Sequence, residues 1–340
     1  MPRIPLASLP RMTDEQLLVT PLCQLPLRLE GTPLEARVAR LYRELAGRGL
    51  VFRPHVWFSE EWFTPDGIPG FALPFYLAHP RLARLERSQM LEVEGGTQRE
   101  CLRILRHEAG HAIDNAFGLH DRGEYRRLFG SFTSRYPDWY RPRPHSRDYV
   151  LHLPAWYAQA HPAEDFAETF AVWLTPGSRW RSRYRKWPAL RKLEFVDATM
   201  RELAGATPRN TSRRKVREWY RIRMTLAELY RERRSHYAFE WPPDYDRDLL
   251  RTFTPERGRP PRPTAARFLE RHRAELTREV ADGTGAHRYA IDQLVVQMMK
   301  RSRELKLHLA DDPDDARRRL LVTLTAQTLN GVYAGQRIAL

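Results

Sequence analysis

The feature that most constrains this chain is one helix that the sequence marks at both ends. Thr97-Gln-Arg-Glu100 has capping-box spacing, in which a threonine hydroxyl and a glutamate carboxylate each satisfy a backbone N–H left free at a helix start. Gly118 supplies the residue at which helices commonly stop. Between them Leu102, Leu105, Ala109, Ala112 and Ala116 recur at three- and four-residue intervals, which predicts a helix to about Phe117 with one apolar stripe. A stripe of that kind is stable only when covered, so the rest of the chain has to supply elements that pack on it.

The same helix carries His107-Glu108-Ala-Gly-His111. Residues four apart lie one above the other, so both imidazoles can face one ion with Glu108 beside it. The only cysteines, Cys23 and Cys101, cannot make a thiolate site or a disulfide framework, which leaves His and carboxylates as ligands and zinc as the natural occupant. A catalytic zinc takes three protein ligands and keeps a fourth position open. A metzincin continuation would need Gly and His three and six residues beyond His111, where Asp114 and Phe117 stand, so the third ligand is expected further downstream.

The segment His161 to Leu174 supplies it. Phe166, Phe170 and Leu174 share an apolar face, the segment has no Lys or Arg, and Glu164 and Glu168 lie one turn apart. Like charges at that spacing cost an exposed helix about 0.2–0.5 kcal/mol, and more when buried, unless something cationic faces them. Glu164 is read as the third ligand and Glu168 as a hydrogen-bond acceptor behind a ligand histidine, with Glu168 as ligand the alternative. His161, followed by proline, and Asp165, at a different helical phase, are the weaker competing donors.

HEAGHAID and AEDFAETF, in this order and about fifty residues apart, resemble the gluzincin metallopeptidases, and most closely the lethal-factor type, whose second motif is a Glu-x-x-x-Glu helix rich in Phe and Ala. That type also carries a tyrosine about two turns before the ligand glutamate, and Tyr157 lies seven residues before Glu164. The resemblance covers roughly residues 50–180. It implies that His107, His111 and Glu164 bind zinc, that Glu108 is the general base and that Tyr157 faces the scissile carbonyl; a packing aromatic beside Trp156 is the plainer reading of Tyr157. The chemistry implied is hydrolysis of a peptide or protein substrate, with zinc acidifying water and polarising the carbonyl.

Around these motifs the expected fold class is α+β: a zincin-like catalytic lobe over residues 1–205, its small sheet packed on the motif helix, and a basic all-α region over 206–340. Pro33–Leu50 reads as a helix, Val51–Phe58 and Gly70–Ala78 as strands, and Leu91–Val93 as a short third strand. Either Gly70–Ala78 or Leu91–Val93 is a candidate for pairing with an extended substrate, with a plain core strand the alternative. Helices are expected over Pro188–Leu203, Ser212–Ser235, Thr264–Ala281, Ala286–Leu309 and Asp314–Asn330, with Thr254–Pro263 as a linker.

Charge is distributed unevenly. Residues 1–176 hold 21 Lys+Arg against 21 Asp+Glu, and residues 177–340 hold 36 against 21, so the whole net charge of +15 falls in the second half. A solvated arginine-rich surface is the plain reading; an anionic partner at the C-terminal helices is the sharper one. No apolar run is long enough to span a membrane and the N-terminus has no signal-peptide core, from which a cytoplasmic protein is expected. Two rivals stand beside the peptidase: a catalytically inactive zinc-binding interaction protein, and a nucleic-acid-binding protein using the basic helices, for which only charge argues.

Overall fold

A computed structural model describes residues 4–137, 139–237, 246–256, 262–333 and 338–339. It is mostly helical with little sheet, an α+β composition. The helices, in chain order, are α1 (Asp14–Leu18), α2 (Pro33–Ala46), α3 (Pro80–Met90), α4 (Gln98–Phe117), α5 (Gly123–Phe129), α6 (Pro162–Leu174), α7 (Trp180–Arg183), α8 (Ala189–Glu202), α9 (Leu226–His236), α10 (Asp246–Leu250), α11 (Ala265–Thr284), α12 (Arg288–Glu304) and α13 (Pro313–Tyr333). The strands are β1 (His55–Ser59), β2 (Gly70–Pro74), β3 (Trp139–Tyr140), β4 (Phe253–Thr254), β5 (His308–Leu309) and β6 (Ile338–Ala339). No described helix is long and apolar enough to cross a membrane.

The chain divides into two compact units: residues 1–89 and 93–231 with residue 340, and residues 90–92 with 232–339. In the first, α4 starts at the reciprocal Thr97–Glu100 capping box and stops at Gly118 in the left-handed conformation, φ 62°. It packs against α2, β2 and, most extensively, α6. α6 is buried on every side: each residue from Ala163 to Leu174 is buried, so it is a central core helix and not a surface one.

β1 and β2 pair in parallel, His55 opposite Gly70 and Ser59 opposite Pro74. The crossover between them, residues 60–69, is at the short end for parallel strands and carries no helix. Asn115 of α4 makes it possible. Its side chain accepts from Gly67 N–H at 3.1 Å and donates to the carbonyls of Pro65 and Ile68 at 3.0 Å each, fixing the turn-rich TPDGIPG stretch on the motif helix.

The structure departs from the sequence reading in several places. Leu91–Val93 is not a strand, and the chain before it forms α3 instead. Gly70–Ala78 is a strand only as far as Pro74, with a 3-10 turn over Phe75–Ala78. The stretch Ser212–Ser235 is α-helical only from Leu226; before that it runs extended along β1, with a 3-10 turn over Trp219–Arg221. There the carbonyls of Arg214, Val216 and Arg217 accept hydrogen bonds from His55, Trp57 and Ser59, all on one face of the strand, at 2.8, 2.8 and 2.6 Å. Backbone bonds between residues 222–226 and Thr20, Leu22 and Cys23 tie this stretch further into the first unit, which therefore extends to Arg231, beyond the expected boundary at 205/206.

The second unit is built on α11, α12 and α13, whose facing positions include Leu269, Leu276, Val280, Ile291, Leu294, Val295, Met298 and Leu320. It is not wholly helical: β4 and β5 pair antiparallel, Phe253 opposite Leu309. The expected linker runs from β4 to Pro263, and its residues 257–261 lie outside the described residues.

Candidate metal centre

Three side chains from α4 and α6 converge. The Nε2 atoms of His107 and His111 lie 3.1 Å apart, and Glu164 Oε2 lies 2.9 Å from the first and 3.2 Å from the second. His107 and Glu164 are buried and His111 is partly so. The helices come this close because of Gly110, the fourth residue of the motif: a Cβ there would sit 2.8 Å from the Cα of Ala167 on α6. Any larger residue would push apart the two backbones that bring the imidazoles to the carboxylate.

The chemistry of the donor set calls for a cation. His107 Nδ1 lies 2.9 Å from Glu168 Oε1, and Glu168 Oε2 accepts the Leu153 N–H at 2.7 Å. If Nδ1 carries the proton, Nε2 turns a lone pair towards another imidazole nitrogen and a carboxylate oxygen. His107 Nε2 and Glu164 Oε2 then face each other as two acceptors 2.9 Å apart, a contact that an ion or a further proton reconciles. The pKa pattern expresses the same demand: burial opposes charge on His107, yet its hydrogen bonds to the Glu164 and Glu168 carboxylates hold its pKa well above the ordinary histidine value. Glu164, also buried, is held down at about 2 by the two imidazoles. The group His107, His111 and Glu164 could hold a metal ion.

Glu108 is buried beside this cluster, with Oε2 accepting the Thr64 hydroxyl at 2.7 Å, and burial raises its pKa above the usual carboxylate value. Tyr157 lies against His107 with ring centroids 5.5 Å apart. Its approach depends on Ala155 and Trp156, both at positive φ, 59° and 55°, a conformation that costs non-glycine residues and here turns the chain back towards α4. Tyr140 secures that turn by donating to the Ala155 carbonyl at 2.8 Å. Burial, with the Glu108 carboxylate next, pushes the Tyr157 phenol far above its usual range, so it keeps its proton as a donor.

The weaker candidates have other work. His161 caps α6, accepting the Ala163 N–H at 3.2 Å, and its Nε2 meets the Ser134 carbonyl at 3.0 Å. Asp165 pairs with Lys192 at 2.5 Å. Sequence reading did not find Thr64, Tyr136 or Gly110. Gly110 had a usable signal, since glycine in a helix interior is costly without a packing reason. Thr64 and Tyr136 arrive from irregular segments and had none. No protein-family model, curated protein or solved structure matches the chain.

Proposed function

We propose that the protein is a zinc-dependent endopeptidase acting on a peptide or protein substrate in the cytoplasm. The observation that carries this reading is the buried meeting of two histidine Nε2 atoms and one carboxylate oxygen with a buried glutamate beside them. Their separations of 2.9–3.2 Å are close to the roughly 3.3 Å between ligands held at 2.0–2.1 Å in a tetrahedral site, and two His with one Glu is a recurrent catalytic zinc set. Bound zinc supplies Lewis acidity, lowering the pKa of water and polarising a carbonyl.

The chain's own residues do the rest. Glu168 and the Leu153 N–H hold the His107 ring in orientation. Thr64 engages Glu108 Oε2 and leaves Oε1 to take a proton from water, and burial gives that carboxylate the proton affinity of a working base. Tyr157 keeps its proton and can donate it to the oxygen on which charge develops.

The test is metal content together with turnover. The purified chain should bind one zinc, release it to a chelator, and cut a peptide library only when zinc is restored. Glu164→Ala should lower zinc affinity steeply. A chain that takes up no zinc on reconstitution, or Glu164→Ala with unchanged affinity, overturns the assignment.

A further inference from the structure

Tyr136 is absorbed by none of the roles above, yet its phenol donates to Glu164 Oε1, and among the described residues it is the only partner of that oxygen. The other carboxylate oxygen, Oε2, is the one that faces both imidazoles. Glu164 is only 4 % exposed, so water cannot freely replace a missing donor there, and an unpaired buried carboxylate oxygen is costly.

The phenol is held in place by a built platform. The Tyr136 ring stacks on His161, centroids 4.1 Å apart with 23° between planes. His161 is itself fixed, its Nδ1 accepting from Ala163 N–H and its Nε2–H then donating to the Ser134 carbonyl two residues before Tyr136. Phe132 on the same segment stacks on His120, centroids 4.2 Å apart. A 44 % exposed tyrosine is thus anchored by a buried histidine and aimed at a buried carboxylate.

We infer that Tyr136 is a positioning residue for the ligand carboxylate: by occupying Oε1 it restricts Glu164 to binding metal through Oε2 alone and keeps the coordination number low. This rests on the metal-site reading above. Without the phenol, the freed Oε1 is available to the ion, and a one-oxygen ligand becomes a two-oxygen ligand.

The experiment compares wild type, Tyr136→Phe and His161→Asn, the last keeping an N-cap side chain while removing the platform. Zinc affinity is measured by chelator competition, coordination by the visible absorption of the cobalt(II)-substituted protein, and fold by the melting temperature of the metal-free chain. Tyr136→Phe should bind zinc about tenfold more weakly, the lower end of what losing a ligand's hydrogen-bond partner does. Its cobalt band should lose intensity, as it does when a four-coordinate ion gains a ligand, and the metal-free melting temperature should fall modestly, because Oε1 is left unpaired in that state too. His161→Asn should shift the cobalt spectrum in the same direction by a smaller amount. Wild-type affinity and an unchanged cobalt spectrum in Tyr136→Phe overturn the inference alone, as does a lowered metal-free melting temperature with both of these unchanged. Failure of wild type to bind zinc or cobalt removes the metal-site reading and this inference with it.

Discussion

Two helix pairs in this molecule solve the same packing problem with opposite chemistry. Between α11 and α12 the buried positions are Leu269, Leu276, Val280, Ile291, Leu294, Val295 and Met298, and the one buried acid of the pair, Asp292, is neutralised by Arg273. Between α4 and α6 the buried set includes His107, Glu108, Glu164 and Glu168, while Asp165 of α6 pairs with Lys192 of α8. Burying ionised groups costs several kcal/mol each unless they are paired or bind metal, so a fold that needed only a core would not choose the second arrangement. Density of buried charge separates the helix pair that carries the candidate metal centre from the pair whose contacts are mostly apolar.

The sharpest break in this comparison is chemical. Glu108→Gln should retain zinc and fold while peptide hydrolysis falls about 10²–10⁴-fold, because the amide is nearly isosteric and cannot take up the proton. Hydrolysis at the wild-type rate would leave α4 and α6 with a metal and no reaction. The counterpart in the second unit is Leu294→Ala, which removes a fully buried side chain and should cost about 2–5 kcal/mol of stability. Zinc stoichiometry of the folded fraction should stay at one. A loss of metal in that variant would mean that the two helix pairs are not separable in function.

Much of the first pair was legible because its signals are local. The Thr97–Glu100 cap, the Gly118 stop and the apolar spacing of α4 all act within one or two turns, and so does the Glu164–Glu168 pair of α6. The stretch before α9 was misread for the converse reason. Trp219, Leu226, Leu229 and Tyr230 are buried and their spacing reads as one helix, but the partners of the preceding backbone are side chains about 160 residues earlier, on β1. The parallel register of β1 and β2 was likewise hidden, since it depends on Asn115 reaching across from α4. Tyr136 and Thr64 reach the site from segments whose sequence carries no periodicity at all.

Two histidines should separate the units by pH with opposite sign. His120 donates a hydrogen bond from Nδ1 to the Asp114 carboxylate, which raises its pKa, so its contribution to stability is full below the unfolded value near 6.5 and is lost as pH rises through the folded one. His287 is pushed down to about 3 by burial and by Arg233 and Arg288. Glu92, 3.4 Å from its Nε2, opposes this, but it is partly exposed and already accepts the Arg288 N–H. For His287 the unfolded state binds the proton first, so stability falls as pH drops from about 6.5 towards 3. Histidine proton shifts read both directly: the His120 midpoint should lie above 6.5, and His287 should stay neutral at pH 5. A His287 midpoint near 6.5 would abolish the contrast.

The smallest expected effect concerns charge, where the two units again differ. Residues 177–231, within the first unit, hold 16 Lys+Arg against 5 Asp+Glu, whereas residues 232–340 hold 20 against 16. Most of the excess therefore lies not in the C-terminal helices but in the first unit, part of it in the stretch beside β1. There the backbone carbonyls of Arg214 and Val216 are engaged by strand side chains, while Arg213, Arg214 and Lys215 are exposed. Reversing these three to Glu should lower the salt concentration at which the protein leaves an anionic matrix, because each lost cation reduces the number of counterions exchanged on binding. Reversing Arg317, Arg318 and Arg319 on α13 should matter less, because each is already matched by an acid: Arg317 lies 3.1 Å from Glu275, Arg319 lies 2.5 Å from Asp311, and Arg318 pairs with Asp315. Equal shifts from the two triple variants would show that total charge alone governs retention. A larger shift at residues 213–215 would assign anionic contacts to the unit that carries the candidate metal centre, and no shift from either would leave a solvated arginine-rich surface.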